Sequence, residues 1–274
     1  MLRRKNPAAE RAAAGTFPFL TFSSRFHLRH FTHPPKLCYN TAMKKIGTIY
    51  TDLTTKFGTA RQSCLSDALK GYIVMEREYA NEQAFRGLEE FSHIWLLWEF
   101  SENLNRGWNP MVAPPKLGGK KKKGVFATRS PFRPNPVGLS CVRLERIEYD
   151  KTHGPVLYIS GVDMMNKTPL YDIKPYIPYS DCIPDASGGF TEYLPDYELE
   201  VDFPPDLLEK LPAGKRDGAM AMLRMDPRPP YHNHPDQIYK IGYAGFDIRF
   251  TVDDETRTAH VTEVTDYPQA LLPH

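Results

Sequence analysis

Two arginines and three prolines share the segment Gly124-Val125-Phe126-Ala127-Thr128-Arg129-Ser130-Pro131-Phe132-Arg133-Pro134-Asn135-Pro136-Val137-Gly138-Leu139-Ser140. Pro131, Pro134 and Pro136 fix three backbone angles and remove three donors, so the segment reads as a stiff loop between strands. Such a loop presents Arg129 and Arg133 with little conformational entropy left to lose, and a planar guanidinium pairs bidentately with carboxylate or phosphate. A solvated surface loop is the plain alternative, and composition alone does not choose between the two.

The surroundings are basic. Between Asn103 and Leu144 the chain carries nine Lys/Arg (Arg106, Lys116, Lys120, Lys121, Lys122, Lys123, Arg129, Arg133 and Arg143) and no Asp or Glu. A four-lysine run is more often a solvated loop tip than a binding site, but in an acid-free stretch it suits phosphate contact. Trp108, near Gly107 and Pro110, reads as an exposed base-stacking platform, whereas Trp95 and Trp98 read as core. Other chemistries are excluded. Neither G-x-G-x-x-G nor G-x-x-x-x-G-K-[ST] occurs, so a doubly wound nucleotide fold is unsupported. Asp226-Pro227-Arg228-Pro229-Pro230-Tyr231 approaches the acidic-Pro-Pro-aromatic loop found in doubly wound adenine methyltransferases, but Arg228 interrupts it and no glycine-rich turn accompanies it. Cys38, Cys64, Cys141 and Cys182 form no C-x-x-C pair, which argues against a disulfide framework or a metal site and for a reducing, cytoplasmic setting. The longest apolar stretch, Phe91 to Phe100, is too short to span a bilayer, so no membrane association is expected.

The elements that must position these residues are mostly strands. Alternation at Ile46 to Tyr50 starts a series of strand-like signals at Gly71 to Glu78, Phe91 to Phe100, Gly124 to Thr128, Val137 to Tyr149 and Pro155 to Val162, with one short helix from Asn81 as N-cap to Gly87 as stop. The Phe91 to Phe100 strand is almost continuously apolar and reads as covered on both faces. Many strands joined by Gly/Pro-rich turns predict a mainly β fold closed into a barrel. A Pro- and acid-rich connector follows, running from Pro184 to Pro205. After it come helices at Asp206 to Leu211 and Lys215 to Met225, then strands near Gln237 to Tyr243, Phe246 to Val252 and Thr258 to Val264. In the middle one Phe246, Ile248, Phe250 and Val252 share the core face, and Asp247, Arg249, Thr251 and Asp253 the solvent face. The expected organisation is a leader or mis-called start at 1–42, a barrel at 43–182 and a smaller α+β domain at 190–274.

The net charge of +2 divides unevenly. Residues 1–42 hold seven Lys/Arg against Glu10, leaving 28 basic and 32 acidic residues beyond them. This leader lacks a secretory apolar core; an over-long start before Met43 and a mitochondrial presequence are the two readings.

Five blocks are similar to signatures of the TrmO (TsaA-like) family, in family order: Ala60-Arg61-Gln62; Arg86-Gly87-Leu88-Glu89-Glu90-Phe91-Ser92-His93-Ile94-Trp95; Pro114-Pro115-Lys116-Leu117-Gly118-Gly119; the Gly124 to Ser140 segment; and Asp172-Ile173-Lys174-Pro175-Tyr176. The likeness runs from about Met43 to Asp181, Asp226-Pro227-Arg228-Pro229 resembles the family's smaller C-terminal domain, and residues 1–42 have no counterpart. The resemblance implies a single-sheet β-barrel, usually a homodimer, that binds S-adenosyl-L-methionine and methylates N6 of threonylcarbamoyladenosine at tRNA position 37, in the anticodon stem-loop. Cofactor contacts then fall on Ala60, Arg61 and Gln62, on Ser101 and Glu102, on Arg129 and Leu139, and on Ser160, Gly161, Val162 and Asp163. An arginine suits the methionyl carboxylate, a glutamate the ribose hydroxyls or ammonium, and Leu139 the adenine face. Ser101 and Glu102 stand where residue types vary among members.

Methyl transfer from a sulfonium is an in-line displacement that needs alignment and exclusion of water, and no metal. The ureido N6 of the acceptor must lose a proton. Asp163, Asp172 and His93 are candidate bases, with turn capping and a packed core histidine as their plain roles, so no catalytic residue is assigned. Arg133 is the expected partner of the threonylcarbamoyl carboxylate, and Lys120 to Lys123 of tRNA phosphates. A non-catalytic tRNA-binding barrel and a methyltransferase acting on a small molecule are the alternatives.

Overall fold

The computed structural model describes residues 43–56, 58–59, 62–114, 117, 121–192, 198–228 and 237–267. Expectations for the 1–42 leader lie outside the described residues. The chain runs through β1 (Gly47–Thr51), β2 (Lys70–Met75), β3 (His93–Glu99), the two-residue strands β4 (Met111–Val112) and β5 (Lys123–Gly124), then β6 (Val137–Asp150), β7 (Gly154–Ser160) and β8 (Thr168–Pro175). Strands β1, β2, β7, β6, β3 and β8 close in that order into a barrel whose neighbours are all antiparallel. The mainly β, barrel architecture read from the sequence is the one the chain adopts.

Burial along β3 has period two: Ile94, Leu96 and Trp98 point inside, and His93, Trp95, Leu97 and Glu99 lie half-buried on the outer wall. This corrects two expectations. The strand is not covered on both faces within the chain, and Trp95 is not core. Residues three apart on a strand face opposite ways, so burying Trp98 turns Trp95 outward, where its Nε1 donates to Asp181 Oδ2 at 2.9 Å. The strand expected at Gly124 to Thr128 is also corrected. Pairing stops at Gly124 and a short 3-10 helix, Val125–Ala127, takes over; Thr128 Oγ1 donates back to Val125 O at 2.9 Å and holds that turn. Asn81 does cap a short helix, a 3-10 turn at Glu82–Phe85, by accepting from Gln83 N.

Because strand directions alternate around the barrel, the C-terminal ends of β1, β3 and β7 and the starts of β2, β6 and β8 lie at one end. The three long connections 52–69, 100–136 and 161–167 therefore gather there.

Past the barrel come α1 (Pro178–Asp181), β9 (Glu200–Asp202), α2 (Pro205–Leu208), α3 (Ala213–Arg224), β10 (Tyr239–Tyr243), β11 (Phe246–Asp253) and β12 (Thr258–Asp266). The second sheet has the order β10-β11-β12-β9, with β9 parallel to β12. Along β11 the expected alternation is present except at Asp247, which is buried where solvent was expected. The β1–β2 loop lies over that edge: Gly242, cross-strand partner of Asp247, donates to Thr55 Oγ1, and Ala244 donates to Asp52 O. Lys240 Nζ meets the Asp247 carboxylate at 3.0 Å. Lys215 of α3 pairs with Asp52 at 2.7 Å, and one hydrophobic cluster runs through both sheets. The second sheet thus braces the loop that follows β1. No helix among the described residues is long and apolar enough to cross a membrane.

Candidate functional site

The segments singled out for chemistry meet at the end of the barrel where the three long loops gather. Gln62 and Ser63 come from the β1–β2 loop, Ser101, Glu102 and Arg129 from the β3–β6 connection, and Gly161, Val162 and Asp163 from the β7–β8 connection. Arg129 Nη1 donates to Gln62 Oε1 at 2.5 Å, joining two of these loops. Arg129 is exposed, so its guanidinium faces outward from a fixed mount.

Asp163 is the node of the arrangement. Its Oδ1 accepts from Ser140 Oγ at 2.6 Å, it accepts from the backbone amide of Ser63, and Arg129 lies close enough to act on its charge. Burial disfavours the charged carboxylate and wins over these stabilising partners, so the acid is pushed up from 3.8 to about 6. A carboxylate that titrates near neutrality beside an exposed guanidinium is a pattern found at functional sites.

Around the node, Ser160 is fully buried and donates to Glu145, which stands at a register shift in β6. Gly161 adopts φ +77, and a Cβ there would meet the Cys64 backbone at 3.1 Å, so glycine is what lets the chain turn toward Asp163. Ser101 and Glu102 open an exposed 3-10 helix, Ser101–Arg106, held to the proline loop by Phe100 N donating to Pro136 O at 2.9 Å. Lys56 Nζ donates to Asn103 Oδ1 at 2.6 Å and to Glu102 O at 3.3 Å. Leu139 lies beside the site rather than in its floor, its half-exposed side chain on the outer wall opposite Leu97.

Arg133 is half-buried, and its Nη1 donates to Thr128 O at 2.8 Å and Ser130 O at 3.2 Å, so part of its guanidinium braces the loop it belongs to. Lys121 and Lys122 are exposed, and Lys123 Nζ sits 5.6 Å from the Phe190 ring. Trp108 is 55% exposed, as its setting suggested. Ala60, Arg61 and Lys120 lie outside the described residues. Two candidate bases are elsewhere. His93 starts β3 at the opposite end, where it bonds Ser92 Oγ, and Asp172 pairs with Lys174 at 2.8 Å in β8, its strand neighbour being the outward Leu97.

Sequence reasoning missed four contributors: Ser140, Ser63, Lys56 and Cys64. Cys64 has a left-handed backbone, φ 58, and donates its thiol to Cys141 O at 3.0 Å. Burial raises its pKa, and Cys141 is pushed up to about 12, chiefly by burial, so both stay thiols. No linear signal marks these residues.

Comparison with known proteins agrees with this fold. The family model of the tRNA-methyltransferase O N-terminal domain matches residues 48–182, and that of the TrmO C-terminal domain matches 196–267. The tRNA (adenine(37)-N6)-methyltransferase of Escherichia coli is 36% identical over 219 residues, covering 77% of this chain and 93% of that protein. The enzyme of the same name from Eikenella corrodens is 44% identical over 165 residues, covering 60% of this chain and 92% of that protein. A crystal structure of TrmO from Pseudomonas aeruginosa superposes with a TM-score of 0.64 at 29% identity, covering 88% of this chain and all of that one.

Proposed function

The chain belongs to the TrmO family of tRNA methyltransferases, and on that premise we propose that it is a tRNA (adenine-N6)-methyltransferase that uses S-adenosylmethionine to methylate N6 of threonylcarbamoyladenosine at position 37. The observation that carries this reading is the convergence of three loops on Asp163 and Arg129 at one end of the barrel. The residues there suit the cofactor's chemistry. An exposed guanidinium matches a carboxylate, Asp163 matches an ammonium or sulfonium, and Gln62 and backbone groups can meet ribose and adenine edges. The cofactor supplies a methyl group on a sulfonium, poised for in-line displacement. This chain's part is to orient the acceptor nitrogen, exclude water and receive a proton.

Arg133 and Lys121 to Lys123, with Lys120, form the substrate side of the proposal. The anticodon loop approaches the basic β3–β6 connection, phosphates meet lysines, and the threonylcarbamoyl carboxylate meets the part of Arg133 not bonded to Thr128 and Ser130. The outer wall around Leu97 and Leu139, with Leu139 52% exposed, is the surface on which we place a homodimer contact.

Incubation with methyl-labelled S-adenosylmethionine and tRNA carrying or lacking threonylcarbamoyladenosine, followed by nucleoside mass spectrometry, tests the reading. Label in the modified adenosine alone is expected. Binding of tRNA without transfer would replace the enzyme with a binding barrel, and transfer only to small acceptors would remove tRNA as substrate.

A further inference from the structure

We propose that the buried pair Trp98 and Ser140 is a positioning device for Asp163, a one-way hydrogen-bond relay that fixes its carboxylate through Oδ1. The inference deepens the functional reading above and rests on it for the identity of the reaction.

The direction of the relay follows from the donors. Trp98 is nearly buried, and an indole nitrogen can only donate, so its N–H must find an acceptor inside the barrel. It finds Ser140 Oγ at 2.9 Å. A hydroxyl that accepts there still has its single hydrogen to give, and Ser140, fully buried, gives it to Asp163 Oδ1 at 2.6 Å. The polarity is therefore fixed as Trp98 to Ser140 to Asp163, and each bond strengthens the next. Oδ1 is thereby committed as the acceptor of Ser140, and the backbone amide of Ser63 donates to the same carboxylate.

The backbone is arranged for this relay. Gly138 is the cross-strand partner of Trp98, and a Cβ on it would lie 2.3 Å from the indole ring, so the bare glycine lets the ring lie across β6. Phe100 closes the other side, with ring centroids 4.4 Å apart. Gly138 and Ser140, two apart on β6, both face inward. The titratable and charged groups facing Asp163 among the described residues are Arg129 from the loop before β6 and the Cys64 thiol from the loop after β1. β3 and β6 present the neutral Trp98 and Ser140.

Donation from Ser140 favours the ionised carboxylate. Removing the hydroxyl must therefore move the titration of Asp163 upward, a change that a purely packing role would not produce. The test follows the carboxyl carbon of Asp163 by NMR in aspartate-labelled protein, without cofactor or tRNA, alongside the pH profile of kcat/KM for methyl transfer. Ser140→Ala should shift both upward by roughly one pH unit. Trp98→Phe should shift them less, in the same direction, and Trp98→Phe with Ser140→Ala should match Ser140→Ala alone, because Trp98 acts through Ser140. The double variant also removes the orphaned indole donor, so it reports even where Ser140→Ala alone fails to fold. An unmoved Asp163 titration in a folded Ser140→Ala or double variant would overturn the proposal, as would additive shifts. Shifted NMR titrations in a protein that does not methylate tRNA would leave the relay standing and sink the functional reading instead.

Discussion

Trp98 and Gly138 occupy one space: the indole of the first covers the α-carbon of the second so closely that a single added methyl would lie 2.3 Å from ring carbon Cε2. Overpacking a dense core typically costs about 1–3 kcal/mol. Gly138→Ala should therefore lower the melting temperature and, by displacing the indole from Ser140, reduce methyl transfer more than its stability loss explains. Calorimetric melting together with turnover at a temperature where the variant is folded checks this; an unchanged melting temperature refutes the close packing.

Arg129 is mounted by its bond to Gln62 and otherwise faces solvent. If it meets the methionyl carboxylate, Arg129→Ala removes a charge-assisted hydrogen bond worth about 1.5–3 kcal/mol, and S-adenosylmethionine binding measured by calorimetry should weaken at least about tenfold. Gln62→Ala, which only loosens the mount, should weaken it less. An equal or larger effect at Gln62 would reverse the assigned roles.

How much of this was legible in the sequence depends on the range over which each signal acts. Strand periodicity and the prolines around Arg129 act locally, so the barrel and the stiff loop could be read directly. Trp95 was misplaced because a run of apolar residues hides the period of two, and only the burial of Trp98 fixes which face is inside. Asp247 was misplaced because its cover comes from the β1–β2 loop. The relay was invisible, since its bonds join residues 42 and 23 positions apart and depend on the β3–β6 register and on the path after β7. The three-residue β9 carries too little sequence to show a period.

Asp163 also makes stability depend on pH. Its folded value, about 6, lies above the ordinary 3.8, so the unfolded chain ionises first as pH rises and the folded state loses stability across that window. Below it both forms are protonated and nothing is lost; above it the penalty is complete. A gap of about two units bounds it at about 3 kcal/mol, and partial solvent access reduces it. Asp163→Asn should therefore be more stable than the wild type at pH 8, by on the order of 1–2 kcal/mol, with the advantage shrinking toward pH 4.5. Urea denaturation at the two pH values measures it, and a variant less stable at pH 8 would contradict the burial argument.

The substrate side separates position from identity. Phosphates are the same on every tRNA, whereas the threonylcarbamoyl group adds a carboxylate that unmodified adenosine lacks, so the cations meeting each should fail differently when removed. The exposed lysines Lys121 and Lys122, with Lys123, belong to the first class. Changing all three to Ala should weaken every tRNA and flatten the dependence of binding on salt, by roughly 0.7–0.9 in log–log slope for each phosphate no longer neutralised. Arg133 belongs to the second. Because its Nη1 already holds Thr128 and Ser130, Arg133→Ala should do two things: relax the loop, which costs some cofactor affinity, and remove the cation for the modified base, which lowers kcat/KM on modified tRNA while the salt slope stays near wild type. Arg133→Lys keeps the charge but not the planar fork, so it should recover little. Kinetics on modified and unmodified tRNA across a salt series, with S-adenosylmethionine saturating, isolates the second effect. Full activity of Arg133→Ala on modified tRNA would exclude it as the carboxylate's partner, and a salt slope unchanged by removal of the three lysines would move the phosphate-binding surface to another face.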